Sequence, residues 1–193
     1  MTAAAVITVG LAYGIGCLNA GYYLLRWRDG RDIRALGSGN AGARNAGRIL
    51  GRGAFALVFV IDAAKGVLAV LAARAWAPEM APLCAVAATL GHVFPAQLGW
   101  RGGRGVATAL GALAVLDLWV LVAVAAGFGA ARLVLRRTVA AGVLGFACGA
   151  AFALGFRPAS VGLAALTLAG LLGFTHRGAA WRSKAAGTNP TGS

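Results

Sequence analysis

The chain is short of charge and shorter still of acid. Charged residues make up 12% of its 193 positions, about half the roughly 25% of an ordinary soluble domain. Five are Asp or Glu, against 18 Lys or Arg. With 60% of residues hydrophobic, disorder is excluded, because disordered chains lack the apolar content to form a core. Apolar runs approaching the ~20 residues needed to cross a bilayer argue against a soluble domain as well. Cysteine is also scarce. Cys17, Cys84 and Cys148 stand singly in apolar segments with no C-x-x-C spacing, which suggests neither a disulfide nor a metal site. The chain has no G-x-x-x-x-G-K-[ST] for nucleotide hydrolysis and no G-x-S-x-G elbow for a serine hydrolase. Neither His92 nor His176 is followed five residues later by Asp, and no His, Cys and carboxylate cluster has metal-ligand spacing.

What remains is an all-α integral membrane protein. Its net charge of +13, carried by sixteen Arg and two Lys, would suggest nucleic acid in a soluble chain. In a membrane protein, basic residues gather in cytoplasmic loops for topological reasons, so no nucleic-acid partner is expected. Apolar runs at 3–25, 54–76, 82–99, 106–116, 118–135, 138–156 and 158–175 predict seven transmembrane helices in a single domain over 1–193, with 183–193 as a flexible tail. The first run has no Lys or Arg ahead of it and Arg26, Arg28, Arg31 and Arg34 behind it, the reverse of a signal peptide. It reads as a retained helix with its N-terminus outside.

Residues 106–131 admit two readings, one long crossing or two helices meeting at Asp117. If the chain turns at Asp117, fifteen basic residues fall inside and two, Arg74 and Arg157, outside, with Lys65 within a span. A single crossing gives ten inside and seven outside. The positive-inside rule favours the turn and a cytoplasmic C-terminus. The helix 106–116 then spans roughly 16 Å, about half a bilayer core, which requires protein around its open end.

Two glycine-rich basic segments fall on the cytoplasmic face in that topology, Gly37-Ser38-Gly39-Asn40-Ala41-Gly42-Ala43-Arg44-Asn45-Ala46-Gly47-Arg48 and Gly99-Trp100-Arg101-Gly102-Gly103-Arg104-Gly105-Val106-Ala107-Thr108. Glycines let backbone N–H groups converge, and such a concavity beside arginine suits an anion, phosphate above all. The second segment runs into a helix N-terminus, which adds unpaired N–H groups. Flexible loops carrying inside-facing arginines are the bland alternative for either segment alone. Ser38, Asn40 and Asn45 weigh against it, being polar groups without topological value. Asp62 and Lys65, three apart on a helix, share a face and can pair within the membrane, as a functional site or as a purely structural pair. His92 and His176 stand at span ends on the same side as the two segments, as interfacial residues or as functional ones.

These residues resemble a known family, the bacterial acyl-phosphate:glycerol-3-phosphate acyltransferases. The family's G-S-G-N-x-G-A-T-N-x-x-R is matched from Gly37 to Arg48 except that Arg44 stands for Thr. Its H-x-F-P-x-x-x-x-F-x-G-G-K-G-V-A-T is matched from His92 to Thr108 with Trp100 for Phe and Arg104 for Lys. Asp62-Ala63-Ala64-Lys65-Gly66 resembles D-x-x-K-G. The third motif, H-x-x-N-x-x-R-L-x-x-x-G-x-E, is met by His176 and Arg182, with Ala179 and Ser183 in place of Asn and Leu and no counterpart to the last Gly and Glu.

The resemblance implies acyl transfer from acyl phosphate to the 1-hydroxyl of glycerol 3-phosphate, the first step of phospholipid synthesis, in the bacterial inner membrane. No cofactor, metal or protein nucleophile is implied. It assigns Asn40, His92, Arg104 and His176 to catalysis. Gly37, Ser38, Gly39, Asn45, Arg48, Asp62, Lys65, Gly102, Gly103, Gly105, Thr108 and Arg182 are assigned to substrate binding, with membrane lipid around the site. A catalytically inactive scaffold or lipid-binding paralogue and an anion transporter are the rival readings.

Overall fold

The computed structural model describes residues 2–185, with side chains described as far as Arg177. The described residues form nine α-helices joined by turns, and no strand. They are α1 (Ala3–Cys17), α2 (Ala20–Asp29), α3 (Ala43–Leu50), α4 (Arg52–Trp76), α5 (Ala81–Val93), α6 (Val106–Leu116), α7 (Leu118–Leu135), α8 (Thr138–Phe156) and α9 (Ala159–Ala185). By length and hydropathy α4, the stretch Pro78–Leu98 containing α5, α7, α8 and α9 are apolar enough to cross a membrane, and the bent pair α1–α2 makes a sixth such span. Their outward faces carry exposed Val6, Leu11, Ile61, Leu68, Val122, Leu144 and Leu163, the surface that lipid requires.

The expected first span is not one helix. α1 stops at Cys17, Leu18 and Asn19 are extended, and α2 leaves at a 42° bend. A break in an apolar segment strands carbonyl groups that lipid does not satisfy, and donors from distant segments meet them here. Lys65 Nζ donates to the carbonyls of Gly16, at 3.2 Å, and Leu18. Gln97 Nε2 and Asn19 Nδ2 both reach the Cys17 carbonyl, at 2.6 and 3.2 Å. The span expected at 82–99 likewise ends early as a helix, because Pro95 follows Phe94 and disfavours α geometry there. The last helix runs past the expected 175 to Ala185, so residues 183–185 of the expected tail are helical and 186–193 lie outside the described residues.

The turn at Asp117 is present. Its carboxylate caps α7 by accepting from the N–H groups of Trp119 and Val120, and it pairs with Arg157 Nε at 2.9 Å. The half-length α6 is walled by protein. Gly66 of α4 lies against the Thr108 carbonyl and Gly111 of α6 against the Ala63 carbonyl, so the two backbones touch where no side chain would fit. One core joins α6 to α9 through Leu113, Val120, Val124, Phe146, Leu168 and Leu172. An alanine-rich core joins α1, α4 and α5. A third, of Leu25, Ile33, Ala41, Ala46 and Val58, anchors the first glycine-rich segment to α2 and α4.

Candidate active site

The first glycine-rich segment is shaped by side chains. Gly37 and Gly39 sit at φ +58° and +69°, left-handed values that glycine tolerates. The buried Asn45 amide ties the turn together, its Oδ1 accepting from Ser38 N at 2.8 Å and its Nδ2 donating to the carbonyls of Ile33 and Leu36 at 3.2 and 2.9 Å. Asn40 Oδ1 accepts from Gly42 N at 2.8 Å, which leaves its amide N–H groups free to face the cavity. From Gly42 the chain enters α3, a two-turn helix within a stretch read from the sequence as a loop.

The second segment is shaped by backbone. Gly102 N and Gly103 N donate to the carbonyls of Val93 and His92, each at 3.0 Å, folding the strip back over the end of α5. A Cβ on Gly103 would collide with the His92 ring, and one on Gly102 with the His92 carbonyl. Gly105, at φ +85°, starts α6. Thr175 of α9 donates to the Arg104 carbonyl at 3.3 Å. His176 Nδ1 lies 2.7 Å from the Leu172 carbonyl, which can only accept, so Nδ1 carries the hydrogen and Nε2 is bare in the neutral ring.

Between the segments opens a cavity of about 500 Å³. Ser38, Asn40, Arg44, Asn45, Asp62, His92, Arg104, Gly105 and His176 line its polar end. The remainder is an apolar trough between α4, α6, α7 and α8, walled by Phe55, Phe59, Leu110, Val124, Phe128, Val143 and Phe146. Arg104 is half buried, and burial, then the charges of Arg44 and Arg48, draw its proton affinity down from the usual guanidinium value. It remains a cation, since arginine is effectively always protonated. Asp29, Asp32, Asp62 and Asp117 pair with other basic residues, and no ion pair among the described residues involves Arg44, Arg48 or Arg104. Three mutually repelling guanidinium groups with no carboxylate between them are best neutralised by an anion.

Other residues singled out in the sequence lie nearby without lining the cavity. Gly37, Gly39, Gly102 and Gly103 form the backbone behind it. Arg48 lines an adjoining recess with Arg44 and Arg52. Thr108 is buried in the first turn of α6, its hydroxyl without a partner. Lys65 pairs with Asp62 at 2.8 Å and lies 3.1 Å from His92 Nδ1, so it sits behind these two lining residues in one buried cluster. The Arg182 side chain lies outside the described residues. Sequence reasoning missed Arg44 as a lining group, although it was the one departure in the first motif. It placed the acyl chain between helices but named no residue of the trough, although Phe55 and Phe59 are four apart on one face of α4.

A family model described as glycerol-3-phosphate acyltransferase matches residues 6–185. Glycerol-3-phosphate acyltransferase 1 of Deinococcus radiodurans is 50% identical over 119 residues, covering 61% of this chain and 60% of that protein. Glycerol-3-phosphate acyltransferase of Synechococcus elongatus is 45% identical over 135 residues, covering 65% and 63%. The chain thus matches somewhat under two thirds of the length of these curated relatives. Over nearly its whole length it superposes on the crystal structure of PlsY (YgiH), an integral membrane glycerol 3-phosphate acyltransferase, in the glycerol 3-phosphate form. The TM-score is 0.83 at 28% identity, covering 97% of this chain and 96% of that one. The lysophosphatidic acid form of the same protein gives 0.79 at 27% identity.

Proposed function

The chain belongs to the glycerol-3-phosphate acyltransferase family, and from that premise we propose that it transfers a fatty acyl group from acyl phosphate to the 1-hydroxyl of glycerol 3-phosphate. The products are lysophosphatidic acid and inorganic phosphate. One observation carries the reading: a single cavity joins an arginine-rich end to a trough walled by Phe55, Phe59, Phe128 and Phe146. That shape matches an anionic headgroup attached to a hydrocarbon chain.

An acyl phosphate is a mixed anhydride, already activated. The hydroxyl oxygen bonds to the carbonyl carbon, the carbon–oxygen bond to phosphate breaks, and the hydroxyl proton leaves with the phosphate or through a neighbouring base. His176, which lines the cavity and has Nε2 bare, is the group placed to handle that proton. Arg104 and Arg44 balance charge on the phosphates. Asn40 offers amide donors, and Ser38 and Gly105 shape the floor. The protein's task is alignment and charge stabilisation rather than covalent catalysis.

In this reading α6 completes seven spans in a single domain, the N-terminus lies outside, and the polar end opens to the cytoplasmic side of the inner membrane, where the fifteen inward basic residues gather. The test is an assay of the protein purified in lipid with acyl phosphate and glycerol 3-phosphate. Equimolar lysophosphatidic acid and phosphate are expected. Absence of both, or equal use of acyl-CoA, would contradict the reading.

A further inference from the structure

We propose that Arg34, which belongs to none of the motifs above, is a positioning residue that sets the spacing between the two glycine-rich segments. Its kinetic consequence rests on the reading of the cavity as a two-substrate acyltransferase site, whereas its structural consequence does not.

The side chain is bound on both edges. Asp32 accepts from Arg34 Nε at 3.0 and 3.1 Å and from Nη2 at 2.7 Å, and also caps the turn by accepting from Arg34 N at 2.8 Å. On the other edge Nη1 donates to the carbonyl of Leu98 at 2.6 Å and to that of Arg101 at 3.2 Å. The Tyr22 ring lies against the guanidinium, 5.0 Å from its centroid. Asp32 and Arg34 immediately precede the Gly37–Asn40 turn, and Leu98 and Arg101 immediately precede Gly102–Gly105. One planar group therefore bridges the roots of both segments. The other backbone link between them, Ala41 N to the Gly102 carbonyl, is 3.4 Å, long for a hydrogen bond.

A topological arginine would look different. Arg28 and Arg31, on the same stretch, keep side chains 64% and 57% exposed, whereas that of Arg34 is 18% exposed. Charge alone would not bridge the segments either. A guanidinium offers five donors in a fixed plane, while a lysine ammonium offers three from one point and has no second edge.

In the two-substrate reading each segment holds its own anion, so loosening the bridge should spare separate binding and disturb mutual placement. Reacting atoms must meet within about 3–3.5 Å, and a misplacement of about 1 Å can cost roughly a hundredfold in rate. The signature of the bridge is a loss in kcat without a matching rise in either KM.

The experiment compares the wild type with Arg34→Lys and Asp32→Asn, each purified in lipid and checked for its melting temperature. Amide hydrogen exchange of residues 36–45 and 99–105 is measured beside kcat and KM for acyl phosphate and glycerol 3-phosphate. For Arg34→Lys, exchange is expected to rise about tenfold or more in those two segments and not elsewhere. Its kcat should fall roughly 30- to 100-fold with each KM within about threefold of wild type. Asp32→Asn, which leaves the carbonyl contacts but frees the aim of the guanidinium, should shift the same way by less. If Arg34→Lys does not yield folded protein, Asp32→Asn decides by the same pattern. Unchanged exchange in both segments would overturn the proposal. So would a lower melting temperature with unchanged kcat per folded enzyme, which is the mark of mere stabilisation. A rise of one KM at intact kcat would make Arg34 a substrate ligand and overturn it as well. A wild type that shows no acyl transfer sinks the functional reading alone, and the exchange measurement still judges the bridge.

Discussion

The two ends of the cavity are built on different principles. At the polar end nearly every group is fixed by a specific bond: Asn45 to Ile33 and Leu36, Gly103 to His92, Thr175 to Arg104, Asp62 to Lys65. In the trough, Phe55, Val124, Phe128 and Val143 contribute bulk and little else. Position is demanded at one end and volume at the other. Substitutions should therefore act steeply and on all substrates at the polar end, and gradually and by chain length in the trough.

The largest loss is expected from Gly103→Ala, whose Cβ would enter the His92 ring. The loop or the ring must move, and kcat should fall roughly a hundredfold or more. A mild effect would show that the polar end is looser than its hydrogen bonds imply. Next comes Arg104→Ala, which removes a charge-assisted contact worth about 1.5–3 kcal/mol, roughly ten- to over a hundredfold in kcat/KM. Arg104→Lys should keep measurable activity with weaker binding, because a point charge replaces a fork that can grip two phosphate oxygens. Near-wild-type Michaelis constants for the alanine variant would remove Arg104 from the site.

Asn45→Ala sharpens the distinction between building the polar end and binding in it. It leaves Ser38 N without its partner and takes one of two donors from the carbonyls of Ile33 and Leu36, which keep the N–H groups of Leu36 and Gly39, and each hydrogen bond lost costs about 0.5–1.5 kcal/mol. A lower melting temperature is expected with it, whereas Asn40→Ala, which breaks one bond, to Gly42 N, against three, should lower turnover and cost less in melting temperature.

The smallest effect is that of pH on the Arg34 bridge. Hydrogen bonding to Arg34 holds the Asp32 carboxyl below its usual value, so the pair contributes above the unfolded value near 3.9 and is lost only as pH falls through the lower folded one. Between about pH 5 and 8, the protection of residues 36–45, their exchange corrected for the base catalysis common to all amides, should not change.

How much of this was legible in the sequence follows the same division. The turn at Asp117 was readable because arginine counting weighs the whole chain at once. The polar end was readable because glycines, Asn40, Asn45, His92 and Arg104 are conspicuous in an apolar sequence. The break between α1 and α2 was not, since Leu18 and Asn19 carry no proline or glycine and their neighbours' carbonyls are satisfied by Lys65 and Gln97, 47 and 80 residues away. α3 was hidden by its flanking glycines and its length of eight residues. The trough was hidden because a phenylalanine that faces a cavity and one that faces lipid look alike in a one-dimensional pattern. Arg34 was counted as one more inside charge until the partners of its two edges were known.

Acyl-chain selectivity tests most directly that one cavity holds both headgroup and chain. Gly142 lines the trough, and a Cβ there would meet nothing within 4 Å, so Gly142→Phe can fold while narrowing the space for the chain. Rates for wild type and Gly142→Phe are to be measured with acyl phosphates of increasing length and saturating glycerol 3-phosphate. The account expects the variant to keep near-wild-type rates with short chains and to lose roughly tenfold or more with long ones, in line with about 0.8 kcal/mol for each CH₂ denied burial. An equal loss at every length, or none, would contradict it.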